Sequence, residues 1–226
     1  MKDLHANRAS FLVRKLIAEG EHVSQDFKYT VNDPRKIART VSAFANNLGG
    51  RLLIGVNDNG QPRGVKSEED IWVVESAASV YGRPAVEVSF TAYKVDQGAL
   101  IIRADIPSVD RRPVYVLEAD GSRHTYFRVA DENIAAHPLM VKAWRHSSNP
   151  DRATLIDFTP ERSALIDRLS QGPATPEELT AALHLSTPRF ETLVADLYAL
   201  RVIDFTFLNR RFHLALKPDD PDSPQL

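Results

Sequence analysis

Residues 21–64 read EHVSQDFKYTVNDPRKIARTVSAFANNLGGRLLIGVNDNGQPRG, and the spacing of apolar residues in this stretch sets the fold of the first part of the chain. The partly alternating segment 23–29 predicts a short strand. Asp33, followed by a proline, is typical of a helix start, because its side chain caps free N–H groups and proline fits the first turn. Apolar residues then recur at helical spacing until two glycines. The following segment, 51–56, is apolar enough to predict a strand buried on both faces.

Three carboxylates and one lysine in this stretch suit metal-assisted phosphate chemistry: Glu21, Asp26, Asp58 and Lys28. Carboxylate oxygens hold Mg²⁺ or Mn²⁺ against a phosphate, and a lysine stabilises the charge that develops there. Asp26 and Lys28 are two positions apart, so they share one face of a strand. If the strand before Asp58 pairs beside the first strand, all four side chains converge. The alternative is that the acids are solvated and that Asp58 serves only turn 57–60.

The first part of the chain, residues 1–147, reads as one α/β domain with about six strands. A helix over 3–19 is predicted before the acidic stretch, because apolar residues fall on one face and a glycine follows. The predicted elements after the stretch are a helix from Ser67 to about 81, strands at 86–90 and 99–106, a hairpin over 114–129 and a closing helix over 137–146.

A change in composition marks a second part of the chain. Residues 148–158 read as a linker, since the chain runs Ser-Ser-Asn-Pro there. Three Thr-Pro pairs then predict three short helices, and two apolar runs around residues 209–210 predict a hairpin. Three helices and a two-stranded ribbon, here within 159–216, are typical of a winged helix-turn-helix domain. The aspartate- and proline-rich tail 217–226 predicts disorder.

The motif in residues 21–64 resembles the Schlafen AlbA_2 domain, which bacterial and archaeal proteins share with the core of animal Schlafen proteins. The similarity extends over residues 10–146 and includes the later sequence 126–129. The residues that carry it are Glu21, Asp26, Phe27, Lys28, Ala43, Phe44, Ala45, Asn46, Gly49, Gly50, Leu53, Ile54, Gly55, Val56, Asp58, Gly60 and Gly64. The resemblance implies an α/β fold, with a mixed-sheet AlbA_2-like domain followed by a small winged-helix domain.

The resemblance also implies a site. Animal Schlafens that cut RNA carry an acidic trio, which by position falls on Glu21, Asp26 and Asp58. These acids are then the expected ligands of Mg²⁺ or Mn²⁺, and with Lys28 as charge stabiliser they are the expected catalytic residues. Two departures count against the match. Asp26 stands where the family usually has glutamate, and Asn57 stands where it usually has aspartate.

Several basic residues predict contact with nucleic acid. Arg35 and Arg39 are four positions apart on one helix face and suit a phosphate track, with Tyr126 and Phe127 available to stack on unpaired bases. The alternative is a solvated face balanced by the acids at 68–70, with Phe127 in the core. The residues expected to contact nucleic acid are Arg35, Lys36, Arg39, Arg51, Arg128, Arg210 and Arg211.

The predicted winged helix gives a divided signal. Its third helix, which reads base edges in DNA-binding members of this class, carries Arg189 against the acids Glu191 and Asp196, a poor balance for approach to a polyanion. The ribbon carries Arg210 and Arg211 at its turn. Two roles therefore stay open for this domain: DNA contact through the ribbon, and protein–protein contact or dimerisation.

Composition excludes some classes of function. The formal net charge of −2 argues against binding of nucleic acid by bulk charge, so any binding needs a local patch. The chain has no cysteine, which excludes disulfides and thiolate metal sites. The chain has no run of 18 apolar residues, so no membrane-spanning helix is predicted. We expect a cytoplasmic protein. The phosphate-binding pattern Gly-x-x-x-x-Gly-Lys-Ser/Thr is missing, which argues against ATP binding.

Together these observations predict a nucleic-acid-binding protein, similar to bacterial transcriptional regulators. One alternative is a divalent-metal-dependent endoribonuclease that uses the acidic trio. Another is an interaction or dimerisation module. Animal Schlafen cores contain two lobes in one chain, whereas this chain has one, so we expect a homodimer that restores the paired arrangement.

Overall fold

The computed structural model describes residues 10–65, 69–95, 99–149 and 159–218. The chain divides into two compact units, residues 1–136 and 137–226. The division precedes the predicted boundary at 147 because the helix Pro138–Ser147 packs against Thr187–Ala199 in the second unit. No helix within the described part of the chain has the length and apolarity to cross a bilayer.

Some predicted features lie outside the described residues. These are the helix start before residue 10, Ser67 at the predicted start of its helix, the linker from residue 150 and the tail from residue 219.

The first unit contains three helices and eight strands among its described residues. The helices are α1 (Ser10–Ala18), α2 (Pro34–Ala45) and α3 (Glu69–Ser76), which continues as a π-helical turn over Ala77–Tyr81. The strands are β1 (Gln25–Lys28), β2 (Gly50–Ile54), β3 (Gly82–Arg83), β4 (Ser89–Lys94), β5 (Leu100–Ile106), β6 (Tyr115–Leu117), β7 (Arg123–Val129) and β8 (Glu132–Ala135).

The eight strands form two four-stranded sheets, whereas about six strands were predicted. The first sheet has the order β1-β2-β5-β4, and β1 and β2 are parallel while the other pairs are antiparallel. The second sheet, β3-β6-β7-β8, is antiparallel. The mixed α/β class is confirmed. The predicted strand at 86–90 begins only at Ser89, and strand β8 was not predicted.

Helix α2 is the element that the surrounding structure packs against. Asp33 caps it as predicted, accepting hydrogen bonds from the backbone N–H groups of Arg35 and Lys36 at 3.0 and 3.3 Å. Its apolar face joins strands of both sheets in one core, while α1 packs on the opposite face of the first sheet. A Cβ atom at Gly50 would lie 2.4 Å from the ring of Phe44, so only glycine lets β2 approach the helix this closely.

The second unit contains four helices and a hairpin among its described residues. They are α4 (Pro138–Ser147), α5 (Pro160–Ser170), α6 (Pro176–Leu183), α7 (Thr187–Ala199), β9 (Ile203–Leu208) and β10 (Arg211–Leu216). Thr175 and Glu178 form a capping box at the start of α6. Strands β9 and β10 are antiparallel, and leucines from all four helices pack with β9 and β10 in a single core.

Candidate functional site

Asp26 lies at the centre of a buried charge cluster on β1. Its Oδ2 atom is 2.7 Å from Lys28 Nζ, and its Oδ1 atom is 3.3 Å from Arg128 Nη2. Asp26 and Arg128 are each only 3% exposed, whereas Lys28 reaches solvent. One carboxylate therefore faces two cations in a place that water hardly reaches. A buried charge needs such partners, because the cost of removing it from water is otherwise not offset.

Glu21 joins this cluster through two hydrogen bonds. Its Oε1 atom accepts from the backbone N–H of Phe27 at 2.8 Å, and its carboxyl group also bonds to the carboxyl group of Asp26. Burial and this contact with Asp26 raise the pKa of Glu21 above its usual value. Burial acts in the same direction on Asp26, but the hydrogen bond from Glu21 and the charges of Lys28 and Arg128 outweigh it and lower the pKa of Asp26. The two carboxyl groups thus form a pair in which Glu21 holds the proton more readily.

The structure does not bring Asp58 to this pair. Strands β1 and β2 are parallel as predicted, with Asp26 opposite Leu52 and Lys28 opposite Ile54. Asp58, however, lies four positions beyond the end of β2, in an exposed turn. Among the residues that the structure describes, no three His, Asp or Glu side chains are grouped so that they could hold a metal ion. Within the described part of the chain, Glu21, Asp26 and Asp58 are therefore not grouped as a metal site.

The arrangement around Asp26 does not fit a divalent cation. Both Asp26 oxygens contact cationic side chains, and Glu21 shares a hydrogen bond with the same carboxylate. Mg²⁺ requires near-octahedral oxygen ligands and is usually held by one or two carboxylates with waters. In this conformation it would have to displace both Lys28 and Arg128. The donor set fits an internal ion-pair cluster better than a metal site.

Arg128, which was predicted to contact nucleic acid, is buried. Its guanidinium donates to Asn133 Oδ1 at 2.9 Å and to the carbonyl oxygen of Gln25 at 3.2 Å, and it lies 5.0 Å from the centre of the Phe44 ring. These contacts tie β7 to β1 and α2. Alternation along the strand could not have predicted this, because Phe127, the neighbour of Arg128 on β7, is buried as well.

Arg51 is also committed to partners within the unit. Its Nε atom donates to Gln25 Oε1 at 2.6 Å, and its Nη2 atom pairs with Glu19. The Gln25 amide in turn donates to the carbonyl oxygens of Leu16 and Gly20, at 2.6 and 2.7 Å. Arg51 therefore fastens the end of α1 to the start of the sheet. These partners lie on different elements, so spacing in the sequence alone did not predict them.

The start of α2 retains cations at the surface. Lys36 is exposed, and Arg35 is half-buried with its guanidinium 4.8 Å from the centre of the Tyr81 ring. Arg39, one turn further on, forms two hydrogen bonds to Glu118, from Nε at 2.9 Å and from Nη2 at 2.8 Å. The predicted phosphate track thus exists as a surface, but its second arginine already holds a carboxylate.

Asn46 explains much of the motif and was not assigned a role from sequence. Although fully buried, it accepts a hydrogen bond from the backbone N–H of Val114 at 2.8 Å. Its amide donates to the carbonyl oxygens of Val114 and Tyr126, at 3.1 and 2.9 Å. Ser42 Oγ adds a bond of 2.8 Å to the carbonyl of Val114. The end of α2 is thereby attached to the second sheet.

In the second unit, the turn between β9 and β10 exposes Arg210 and Arg211. Asn209 and Arg210 both have positive φ, 50° and 60°, which is typical of the two-residue turns that match the twist of a hairpin. Neither arginine forms an ion pair with any residue that the structure describes. These two predicted residues are placed where an external phosphate can reach them.

Comparison with known proteins adds a family match. A family model described as Schlafen, AlbA_2 matches residues 21–137 of the chain. No curated protein matches it. Eleven chains of solved structures match, among them the crystal structure of the DIP2311 protein from Corynebacterium diphtheriae, at 20% identity and a TM-score of 0.42. That match covers 66% of this chain and 30% of the other.

Proposed function

The chain belongs to the Schlafen AlbA_2 family, and on this premise we propose that it binds nucleic acid, with its C-terminal unit contacting the phosphate backbone. The family match suggests a function related to nucleic acid. The arrangement of three helices before a two-stranded ribbon supports interpreting residues 159–216 as a winged helix-turn-helix.

The single observation that carries the proposal is the contrast between helix α7 and the hairpin tip. On α7, Arg189 pairs with Glu161 at 2.5 Å, and Glu191 pairs with Lys142 at 2.7 Å. Asp196 pairs with Arg162 at 2.7 Å. Helix α7 therefore presents charges that other helices of its own unit already neutralise.

Helix α4 adds a second reason to exclude α7 as the reading helix. Besides the Lys142 pair, Trp144 Nε1 of α4 donates to the hydroxyl oxygen of Tyr198 at 3.0 Å, and His146 lies 3.0 Å from Asp196. One side of α7 is thus covered by α4. Arg210 and Arg211 at the hairpin tip remain exposed, so the ribbon supplies the cations that meet the phosphates.

The test is fluorescence anisotropy with labelled duplex DNA across a series of salt concentrations. The double variant Arg210→Ala with Arg211→Ala should weaken binding and reduce the slope of log K against log salt by about 0.9 per lost contact, roughly 1.8 in all. A charge-matched control is Arg63→Ala with Lys94→Ala, two exposed cations of the first unit. If both double variants weaken binding equally, bulk charge rather than the hairpin explains the affinity.

Two finer roles follow from different outcomes of a parallel experiment. Labelled transfer RNA and DNA are incubated with Mn²⁺ or EDTA and separated on native and denaturing gels. A shifted band without cleavage supports a role like that of a bacterial transcriptional regulator. Cleavage that requires metal and is lost in Asp58→Ala would restore the endoribonuclease alternative. It would also require Asp58 and Asp26 to meet in another conformation.

The expected homodimer belongs to the same proposal, because a paired arrangement would supply two hairpins to one duplex. Sedimentation equilibrium at micromolar concentration measures this directly. A mass near 50 kDa, twice the 25.2 kDa of the chain, is expected. A mass equal to that of one chain would disprove the dimer but would not affect the proposed contact between the hairpin and the phosphates.

A further inference from the structure

We propose that the surface formed by Arg35 and Arg39 with Tyr81 and Tyr126 is a second binding surface, specific for single-stranded nucleic acid, and that Glu118 occupies Arg39 in place of a phosphate. This inference rests on the proposed function and names the kind of strand that the first unit takes. The surface includes none of the residues around Asp26 and none of the β9–β10 hairpin.

Arg35 is positioned as a stacked, available cation. Its guanidinium carbon lies 4.8 Å from the centre of the Tyr81 ring, within the range of a cation–π contact. Its Nε atom is buried and has no hydrogen-bond partner, and among the described residues no carboxylate pairs with it. An arginine held in this way has lost part of its side-chain freedom before a ligand arrives, and that lowers the entropy cost of binding.

Arg39 occupies an equivalent position one turn later, with one difference. It lies 5.7 Å from the centre of the Tyr126 ring, and 44% of its side chain is exposed. Its two donors bind the two oxygens of Glu118, and the hydroxyl group of Tyr126 donates to Glu118 Oε1 at 2.8 Å. Contact with Arg39 lowers the pKa of Glu118, and burial with the bond to Glu118 raises the pKa of Tyr126 to about 12.

The geometry of the Arg39–Glu118 pair is that of an arginine fork on a planar anion. A phosphate group presents two oxygens to the same fork, so a phosphodiester and Glu118 compete for one site. Arg35 and Arg39 are about 6 Å apart along the helix axis. That distance is close to the rise over two nucleotides of one strand, roughly 7 Å.

Tyrosine rings under both arginines favour a single strand over a duplex. Unpaired bases stack on aromatic side chains and on guanidinium planes, whereas paired bases in a duplex are already stacked on one another. Lys36 adds an exposed cation beside Arg35, and Arg123 adds one at the start of β7. The nearby carboxylate of Asp33 is occupied as the cap of α2.

The experiment measures anisotropy of a labelled poly-uridine oligonucleotide with the full chain. Glu118→Gln keeps the shape of the side chain but weakens its hold on Arg39. We expect affinity for the single strand to rise about fivefold and the salt slope to steepen by about 0.7, for one added phosphate contact. Tyr81→Leu, which changes no charge, should lower affinity at least fivefold, because the Arg35 guanidinium loses the ring that holds it in place.

Asp105→Asn is the matched control. Asp105 also pairs with an arginine, Arg103, at 2.6 Å, and its loss changes the net charge by the same amount on the first sheet, whereas Glu118 follows β6 of the second sheet. The inference holds if Glu118→Gln strengthens binding more than Asp105→Asn does and Tyr81→Leu weakens it. Equal effects of the two carboxylate variants, or no effect of Tyr81→Leu, would overturn it.

The same data separate this inference from the proposed function. If duplex binding depends on Arg210 and Arg211 while Glu118→Gln leaves the affinity for the single strand unchanged, only the inference about the second surface is disproved. If the protein binds neither strand type, both fail together. Melting temperatures of the variants show whether they remain folded, and Tyr81→Leu tests the surface without altering the Arg39–Glu118 pair.

Discussion

The cluster around Asp26 and the turn that carries Asp58 show how one motif supplies the same residue type for two different environments. Asp26 is enclosed by Lys28 and Arg128, while Asp58 is exposed beyond the end of β2. The parallel pairing of β1 with β2 places Asp26 beside the middle of β2 and leaves Asp58 past its end. A carboxylate within a motif therefore says little about its role until the strand register is known.

Replacing the two aspartates should give the largest difference in stability. Asp26→Ala leaves the Arg128 guanidinium buried without a counter-charge, and we expect a loss of about 3–5 kcal/mol in the free energy of unfolding. Asp58→Ala removes a solvated side chain and should change it by about 0.5 kcal/mol or less. Urea denaturation of both variants measures the difference. Equal losses would mean that Asp58 has partners in solution that this conformation does not show.

Replacing a neutral residue of the same motif should lower the free energy of unfolding by an amount between these two values. Asn46→Ala deprives the backbone N–H of Val114 of its acceptor inside the core, and we expect a loss of about 1–3 kcal/mol. Asn47→Ala is the control, since Asn47 is only half-buried and its side chain exchanges hydrogen bonds with the backbone of Arg128, at 2.9 and 3.3 Å. Its loss should be about 1 kcal/mol. If Asn47→Ala is the more damaging change, Asn46 is not the main link to the second sheet.

The smallest effect concerns the pH dependence of the carboxyl pair. Asp26 has a folded pKa below its usual 3.8, so it stabilises the fold above that value, and the stabilisation is lost as pH falls through the folded pKa. Glu21 has a folded pKa above its usual 4.5, so its contribution is complete below 4.5 and is lost as pH rises through the folded pKa.

Glu21→Gln isolates the second of these contributions. A glutamine amide can donate to Asp26 at every pH, as the protonated Glu21 does only in acid. The melting temperature of the variant should therefore not decline as pH rises above 4.5. It should still fall below pH 4, where Asp26 becomes protonated. Calorimetry from pH 3 to pH 8 provides the measurement. Identical profiles for the variant and the parent chain would show that Glu21 and Asp26 titrate independently.

Local chemistry made several elements predictable from sequence. Asp33, Thr159 and Thr175 each accept the expected cap hydrogen bond, because a cap involves only residues within one turn of it. The glycine-rich ends, the apolar strand β2 and the hairpin around 209–210 were predictable for the same reason. Their preferences depend on neighbours in the sequence and on nothing further away.

The features that could not be predicted from sequence depend on contacts between residues that are far apart in the chain. The partners of Arg39 and Arg128 lie 79 and 103 residues away, at Glu118 and at the carbonyl of Gln25. No spacing rule reaches that far, so both arginines were predicted as free surface cations. The split into two sheets and the extra strand β8 were missed likewise, because strand pairing is decided by the packing against α2 rather than by alternation alone.

The Asn46 attachment also has a consequence for the order of folding. Asn46 bonds to Val114 and Tyr126, which are 68 and 80 positions later in the chain. During synthesis at about 5–20 residues per second, its partners emerge roughly 3–16 s after it does. During that interval Asn46, at the end of α2, lacks the partners that it has in the folded core. Contacts between residues so far apart in the chain also form slowly. We therefore expect the first unit to acquire its native structure late, after most of its chain has left the ribosome.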